Sequence, residues 1–146
     1  MQPRPRQADG RFPPDLTKDV ELKTDHRMRS LLFCPATEPE KVLKSPGKGA
    51  DATAIDLEDA VSDANKVAAR VLAHDLIAAK SFAAHPVYVR VNSVSSGLAM
   101  DDIRAVAQAQ LRGIVIPKAN CAQDVAAVAA TLAEAEELAG MAPGSI

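Results

Sequence analysis

Ala54-Ile55-Asp56-Leu57-Glu58-Asp59-Ala60-Val61 is the stretch on which the reading of the fold turns. The apolar run from Ala52 to Leu57 has the length of one strand and is bounded by Gly49 before it and Ser62 after it. It delivers three carboxylates in four residues. Alternate side chains of a strand share a face, so Asp56 and Glu58 fall on one side and Ile55 and Leu57 on the other. Acids crowded at the C-terminal end of a strand repel one another and contribute little packing. They either serve a site, beside a metal or a cationic substrate, or cap the next helix and meet solvent. α/β folds keep their chemistry at such strand ends, which favours the site.

The flanking sequence repeats this organisation. Arg29-Ser30-Leu31-Leu32-Phe33-Cys34-Pro35 reads as an apolar strand stopped by proline. Thr37 as N-cap, with Pro39 behind it, opens a short helix that Ser45-Pro46-Gly47 should end. After the acidic strand, Ser62 or Asp63 caps a long helix to about Lys80, with Val67, Val71, Leu72 and Leu76 at helical spacing. Pro86 to Asn92 is a third strand with Val87, Val89 and Val91 on one face and Tyr88, Arg90 and Asn92 on the other. A Ser/Gly loop through Ser96-Gly97 leads to a helix from about Met100 to Leu111. Gly113 to Lys118 is the fourth strand, and a last helix runs from about Ala122 to Leu138, ending at Gly140.

Four consecutive strand–helix units imply a parallel sheet with right-handed crossovers. The strands end on Cys34-Pro35, Glu58-Asp59, Arg90 to Asn92 and Pro117-Lys118, which places the candidate chemistry at one sheet edge. No GxGxxG follows the first strand and no GxxxxGK[ST] occurs, so the nucleotide-binding version of the fold loses weight.

Composition sets the outer bounds. The chain has 146 residues, about one domain, with 47% hydrophobic residues but only 3% aromatic and no Trp, so the core must be Ala, Val, Leu and Ile. A net charge of −2 gives no electrostatic case for nucleic acid. No apolar run approaches the ~20 residues of a membrane span, and no signal-peptide segment follows the start. Cys34 and Cys121 form neither a CxxC nor a metal spacing, which reads as a reduced, cytoplasmic compartment. Residues 1–27 read as a disordered N-terminal tail, with Pro3, Pro5, Pro13 and Pro14 and no periodic apolar face. Its Arg4, Arg6 and Arg11 hint at mitochondrial targeting, against which Asp9, Asp15 and Asp19 argue.

Arg29-Ser30 before a strand, the run Asp56-Leu57-Glu58-Asp59, Arg90-Val91-Asn92 and Pro117-Lys118 resemble, in order and spacing, the citrate lyase beta-subunit family. Its malyl-CoA and citramalyl-CoA lyases are (β/α)8 TIM barrels. The run from Arg90 to Ala99 is most similar to the citramalyl-CoA lyase branch. The resemblance begins at about Arg29 and implies an N-terminal half-barrel over residues 28–146, about the first four βα units.

The resemblance further implies a Mg²⁺-dependent carbon–carbon lyase that cleaves a 3-hydroxyacyl-CoA, such as citramalyl-CoA or malyl-CoA, by a reversible aldol-type reaction. Arg90 matches the arginine that grips the substrate's carboxylate or keto-acid oxygens, and an ion pair with Asp56 or Glu58 is its structural alternative. Phe33 stands where the citramalyl-CoA branch has a tyrosine lining the acyl-CoA site. Lys44 matches a lysine that meets the CoA phosphates, while a second such lysine is Glu40 here, with Lys41 one residue on. Asp56, Glu58 and Asp59 would hold Arg90 and metal-bound waters from behind. Lys118 reads equally well as a solvated strand-end lysine. The direct Mg²⁺ ligands of the family, a Glu and an Asp from the fifth and sixth strand ends, are expected C-terminal to Ile146, so this chain by itself should not bind the metal and should be inactive alone. The partners implied are a CoA thioester or 2-oxo acid and, for a full-length protein, further copies of itself. A non-catalytic half-barrel that binds a CoA ester or a partner chain is the alternative from another class. A flavodoxin-like regulatory domain is the third, opposed by Arg90 to Asn92 standing where a receiver domain needs a phosphoacceptor aspartate.

Overall fold

A computed structural model describes residues 28–79, 82 and 84–146; the tail expected over residues 1–27, and Lys80 at the expected end of the second helix, lie outside the described residues. Four strands alternate with four helices: β1 (Leu31–Pro35), α1 (Pro39–Lys44), β2 (Ala52–Asp56), α2 (Lys66–Ile77), β3 (Val87–Arg90), α3 (Ala99–Val106), β4 (Leu111–Val115) and α4 (Ala122–Leu138). The strands are parallel and stand in chain order, β1-β2-β3-β4. A doubly wound sheet must reverse its order at a switch point, and this one does not. With right-handed crossovers throughout, every helix lands on the same face, which removes the flavodoxin-like alternative.

That face carries the core. Ile55, Val87, Val89 and Val91 pack against Ala69, Ala73, Leu76 and Ile77 of α2, Ile103 and Val106 of α3 and Val128 of α4. The core is aliphatic, as the composition requires, with Phe82 its one aromatic member among the described residues. The other face carries two rows set by the register. Phe33, Ala54, Tyr88 and Gly113 are paired across the sheet, and nearer the C-terminal edge so are Pro35, Asp56, Arg90 and Val115. Gly113 sits under the Tyr88 ring; a Cβ there would lie 3.0 Å from Cε1. Val87 pairs Leu111 while Tyr88 pairs Gly113, so Arg112 is the extra residue of a bulge.

Several local expectations are corrected. Thr37 does not cap α1: Glu38 occupies the N-cap without a side-chain bond, and Pro39 supplies the fixed φ that starts the helix. Ser45-Pro46-Gly47 tightens the chain into a 3-10 turn over Ser45–Lys48, and the stop comes at Gly49, whose φ of 81° favours glycine. Neither Ser62 nor Asp63 caps α2 with its side chain; a 3-10 turn over Asp63–Asn65 intervenes. Val67 and Val71 are 70% and 59% exposed, and the buried stripe is Lys66, Ala69, Ala73, Leu76 and Ile77. The period is helical but the phase is set by alanines, whose small side chains let the helix approach the sheet. Leu111 is not the end of α3. Ala107 leaves helical geometry with ψ 108°, a turn follows, and Leu111 opens β4 opposite Val87. β4 therefore runs ahead of the expected Gly113 to Lys118. α4 matches its expected span and is followed by Gly140 at φ 68°.

Candidate functional site

The site begins at the last residue of β2. The Asp56 carboxylate starts the acidic turn by accepting the Glu58 N–H on Oδ1 at 2.8 Å and the Ala60 N–H on Oδ2 at 3.3 Å. Its register partner Arg90 reaches the same two oxygens, Nε donating to Oδ1 at 2.9 Å and Nη2 to Oδ2 at 2.6 Å. Such a two-pronged, charge-assisted pair fixes the guanidinium plane. Arg90 Nη1 lies 3.4 Å from Glu58 Oε2 and 3.6 Å from Asp59 Oδ2, and the guanidinium sits 5.0 Å from the centre of the Phe33 ring. That is within cation–π range.

Two lysines complete the charge balance. Lys118 Nζ is 2.8 Å from Glu58 Oε1 and 3.0 Å from Asp59 Oδ1. Its backbone adopts a φ of 48°, in the left-handed region. Glu58 is buried, and its two oxygens meet Lys118 and Arg90 by charge, with angles outside those of a hydrogen bond. Lys66, buried at the first turn of α2, donates to the main-chain carbonyls of Leu57 at 2.8 Å and Glu58 at 2.6 Å. It pins the acidic turn from beneath.

The electrostatics follow from this arrangement. Burial pushes the Asp56 carboxyl up, but the Arg90 guanidinium and the Glu58 and Ala60 N–H groups reverse that and leave its pKa below the ordinary carboxylate value. The hydrogen bonds to Asp56 raise the pKa of Arg90, against its partial burial. The Glu58 and Asp59 carboxylates raise that of Lys118.

Behind the site, Asp102 of α3 is fully buried. Its Oδ2 accepts both the Asn92 backbone N–H at 2.9 Å and the Asn92 Nδ2–H at 2.7 Å, and its Oδ1 accepts Arg70 Nε at 2.9 Å. Beside the acidic turn lies a cleft of about 310 Å³ lined by Glu58, Asp59, Lys66, Asn92, Ser93 and Lys118, among others.

Of the residues singled out in the sequence, Arg90, Phe33, Asp56, Glu58 and Asp59 come together, and Lys118 joins them. Lys44 does not. Its Nζ pairs with Glu40 at 3.1 Å, and the next residue, Ser45, bonds Thr53 near the start of β2, so Lys44 lies toward the other end of the sheet. Lys66, Arg70 and Asp102 were missed. Lys66 had a signal: a cation in the first turn of a helix opposes the helix dipole and calls for a local partner. Arg70 and Asp102 had none, since charges on helices usually face solvent.

The cluster does not fit a directly bound Mg²⁺. That ion takes carboxylates and water in a near-octahedral shell, whereas Asp56, Glu58 and Asp59 are already opposed by Arg90 and Lys118. Among the described residues no group of three or more His, Cys, Asp or Glu could hold a metal ion. Likewise, no described helix is long and apolar enough to cross a membrane.

Parallel βα units in chain order, with acids and an arginine at the C-terminal strand ends, define a barrel-type α/β protein whose site lies at that edge. The chain belongs to the HpcH/HpaI aldolase/citrate lyase family, whose model matches residues 29–146. It is 36% identical over 104 residues to a (3S)-malyl-CoA thioesterase of Cereibacter sphaeroides, covering 71% of this chain and 36% of that protein. It is 41% identical over 113 residues to a citrate lyase subunit beta-like protein of Deinococcus radiodurans, covering 73% of this chain and 39% of the relative. The crystal structure of CitE from Mycobacterium tuberculosis with magnesium, acetoacetate and coenzyme A superposes with a TM-score of 0.56 at 30% identity, over 70% of this chain and 38% of that one. The fold is thus about four βα units of the (β/α)8 barrel. The chain spans less than half the length of these relatives.

Proposed function

We propose that this chain provides the substrate-gripping part of a magnesium-dependent carbon–carbon lyase site, which cleaves a 3-hydroxyacyl-CoA such as citramalyl-CoA or malyl-CoA by a reversible aldol-type reaction. The supporting observation is the geometry of Arg90. One edge of its guanidinium is tied to Asp56, while Nη1 lies 3.4 Å from Glu58 Oε2 and 3.6 Å from Asp59 Oδ2, and the side chain is 23% exposed. A planar fork held at one edge can present its remaining N–H groups to a carboxylate or keto-acid oxygen without reorganising. Phe33 shields the guanidinium from water on one face, which strengthens that contact. Lys44, at the far end of α1, would meet the distant phosphates of CoA. The described residues assign no step to magnesium. Its ligands would have to come from elsewhere in a complete protein.

Isotope-edited NMR of the 146-residue chain titrated with acetoacetate and with CoA tests this. Acetoacetate should shift the Arg90 Nε–H signal and CoA the Lys44 signals. Saturating acetoacetate that leaves Arg90 unmoved would refute the grip. The second reading, a half-barrel that binds a CoA ester or a partner chain without turnover, draws on the pairing of Asp56, Glu58 and Asp59 with Arg90 and Lys118, which leaves these acids opposed by cations. A cleavage assay with Mg²⁺ on malyl-CoA and citramalyl-CoA separates the two when the chain is extended to the full length of its relatives: release of acetyl-CoA supports the first reading, and binding without release supports the second.

A further inference from the structure

We infer that Asp102 is a positioning residue of this site, clamping Asn92 so that the Arg90–Asn92 segment is fixed and the Asn92 carbonyl is left to the cleft. The reading of Arg90 as the substrate grip gives this clamp its purpose.

An ionised carboxylate only accepts hydrogen bonds, so the end of the Asn92 amide that meets Asp102 must be its NH₂. Oδ1 is then the free end, and Asn92 is a wall of the cleft. The same Asp102 oxygen takes the Asn92 main-chain N–H. Main chain and side chain of one residue are thus held at a single atom, and that residue cannot turn without breaking both bonds. Arg70 Nε, on the other oxygen, keeps the buried charge from standing alone. Asp102 lies in the first turn of α3, where the helix dipole favours an anion. The clamp bears on Arg90 through two residues of extended chain tied on both sides: the Arg90 carbonyl accepts the Leu57 N–H at 2.9 Å, and the Val91 N–H donates to the Val115 carbonyl.

Asp102→Asn tests the clamp in the intact 146-residue chain. The variant keeps the volume and removes the anion. It should shift the Arg90 Nε–H and Asn92 Nδ2–H₂ signals while the amides of α4 stay in place, and weaken acetoacetate binding about tenfold, the scale of one hydrogen bond. Ile103→Val loosens the same helix without touching Asn92 and should leave both signals where they are. If the two variants behave alike, Asp102 is merely structural and the inference fails. Should Asp102→Asn not fold, Asn92→Ala removes the side-chain half of the clamp from its other end and leaves the main-chain bond. An Arg90 signal that moves then supports the inference, and one that stays overturns it. A wild-type chain that binds no acetoacetate would refute the substrate reading instead, and the Arg90 signal in the variants would still decide the clamp.

Discussion

Arg90 and Asp56 are direct register partners on β3 and β2, and their side chains meet in two parallel hydrogen bonds of 2.9 and 2.6 Å. The ion pair and the substrate grip were two readings of Arg90 that can hold together. The geometry makes the ion pair a fact, and the outer guanidinium edge, Nη1, lies 3.4 Å from Glu58 Oε2 and 3.6 Å from Asp59 Oδ2.

Removing Arg90 should therefore cost stability. Arg90→Ala strands a buried carboxylate, and breaking a buried pair from one side costs about 3–5 kcal/mol. Arg90→Lys keeps the charge but loses the fork and should cost about 1–2 kcal/mol, the scale of a charge-assisted hydrogen bond. Urea unfolding at neutral pH reads both.

Lys66→Met should destabilise by about 2 kcal/mol, because two buried carbonyls lose a charged donor. Lys44→Met, at an exposed i,i+4 pair with Glu40, should stay within about 0.5 kcal/mol. Equal effects in the same unfolding experiment would mean that the acidic turn holds its shape without Lys66.

The depressed pKa of Asp56 predicts a loss of stability in acid. A carboxyl more acidic when folded binds fewer protons than its unfolded form. Its contribution is fully present above the unfolded value of about 3.9 and is lost as pH falls through the lower, folded one. Lys118 has the opposite sign: its raised pKa stabilises below the ordinary lysine value of about 10.4 and is lost as pH rises through the folded one. Unfolding midpoints followed from pH 7 to 2.5 should fall less steeply in Asp56→Asn than in the wild type. A parallel fall would contradict the assignment.

The phase of α2 is tested by substitutions on its two faces. Val67→Lys and Val71→Lys, on exposed positions, should each change stability by less than about 0.5 kcal/mol. Ala73→Leu, against the sheet, should cost about 1–3 kcal/mol through overpacking. The reverse pattern in thermal unfolding would restore the valine stripe.

The fold was legible because three of the four strands announced themselves: β2 by its acids, β3 by three alternating valines, β1 by a proline stop. The helices were less so. Alanine counts little on a hydrophobicity scale yet packs closest, so α2 was phased on Val67, Val71, Leu72 and Leu76, of which the structure exposes the two valines and keeps Leu76 in the core. Leu111 was assigned to α3 because an apolar residue at helical spacing looks the same whether it ends a helix or opens a strand. At the site, the acids and Arg90 could be seen because charges at strand ends are costly without a task. Asp102 could not, because its charge is indistinguishable in sequence from a solvated helix face until Asn92 is found beneath it.

One strand serves two masters. Val87, Val89 and Val91 point into the aliphatic core, and Tyr88 and Arg90, between them, point to the face that carries the site. A saturation scan along β3 would therefore come out striped. Tolerance at the odd positions would be governed by volume and hydrophobicity and could be rescued by stabilising changes elsewhere in the core. At Arg90 it would be governed by charge and shape, because only a planar cation makes both bonds to Asp56.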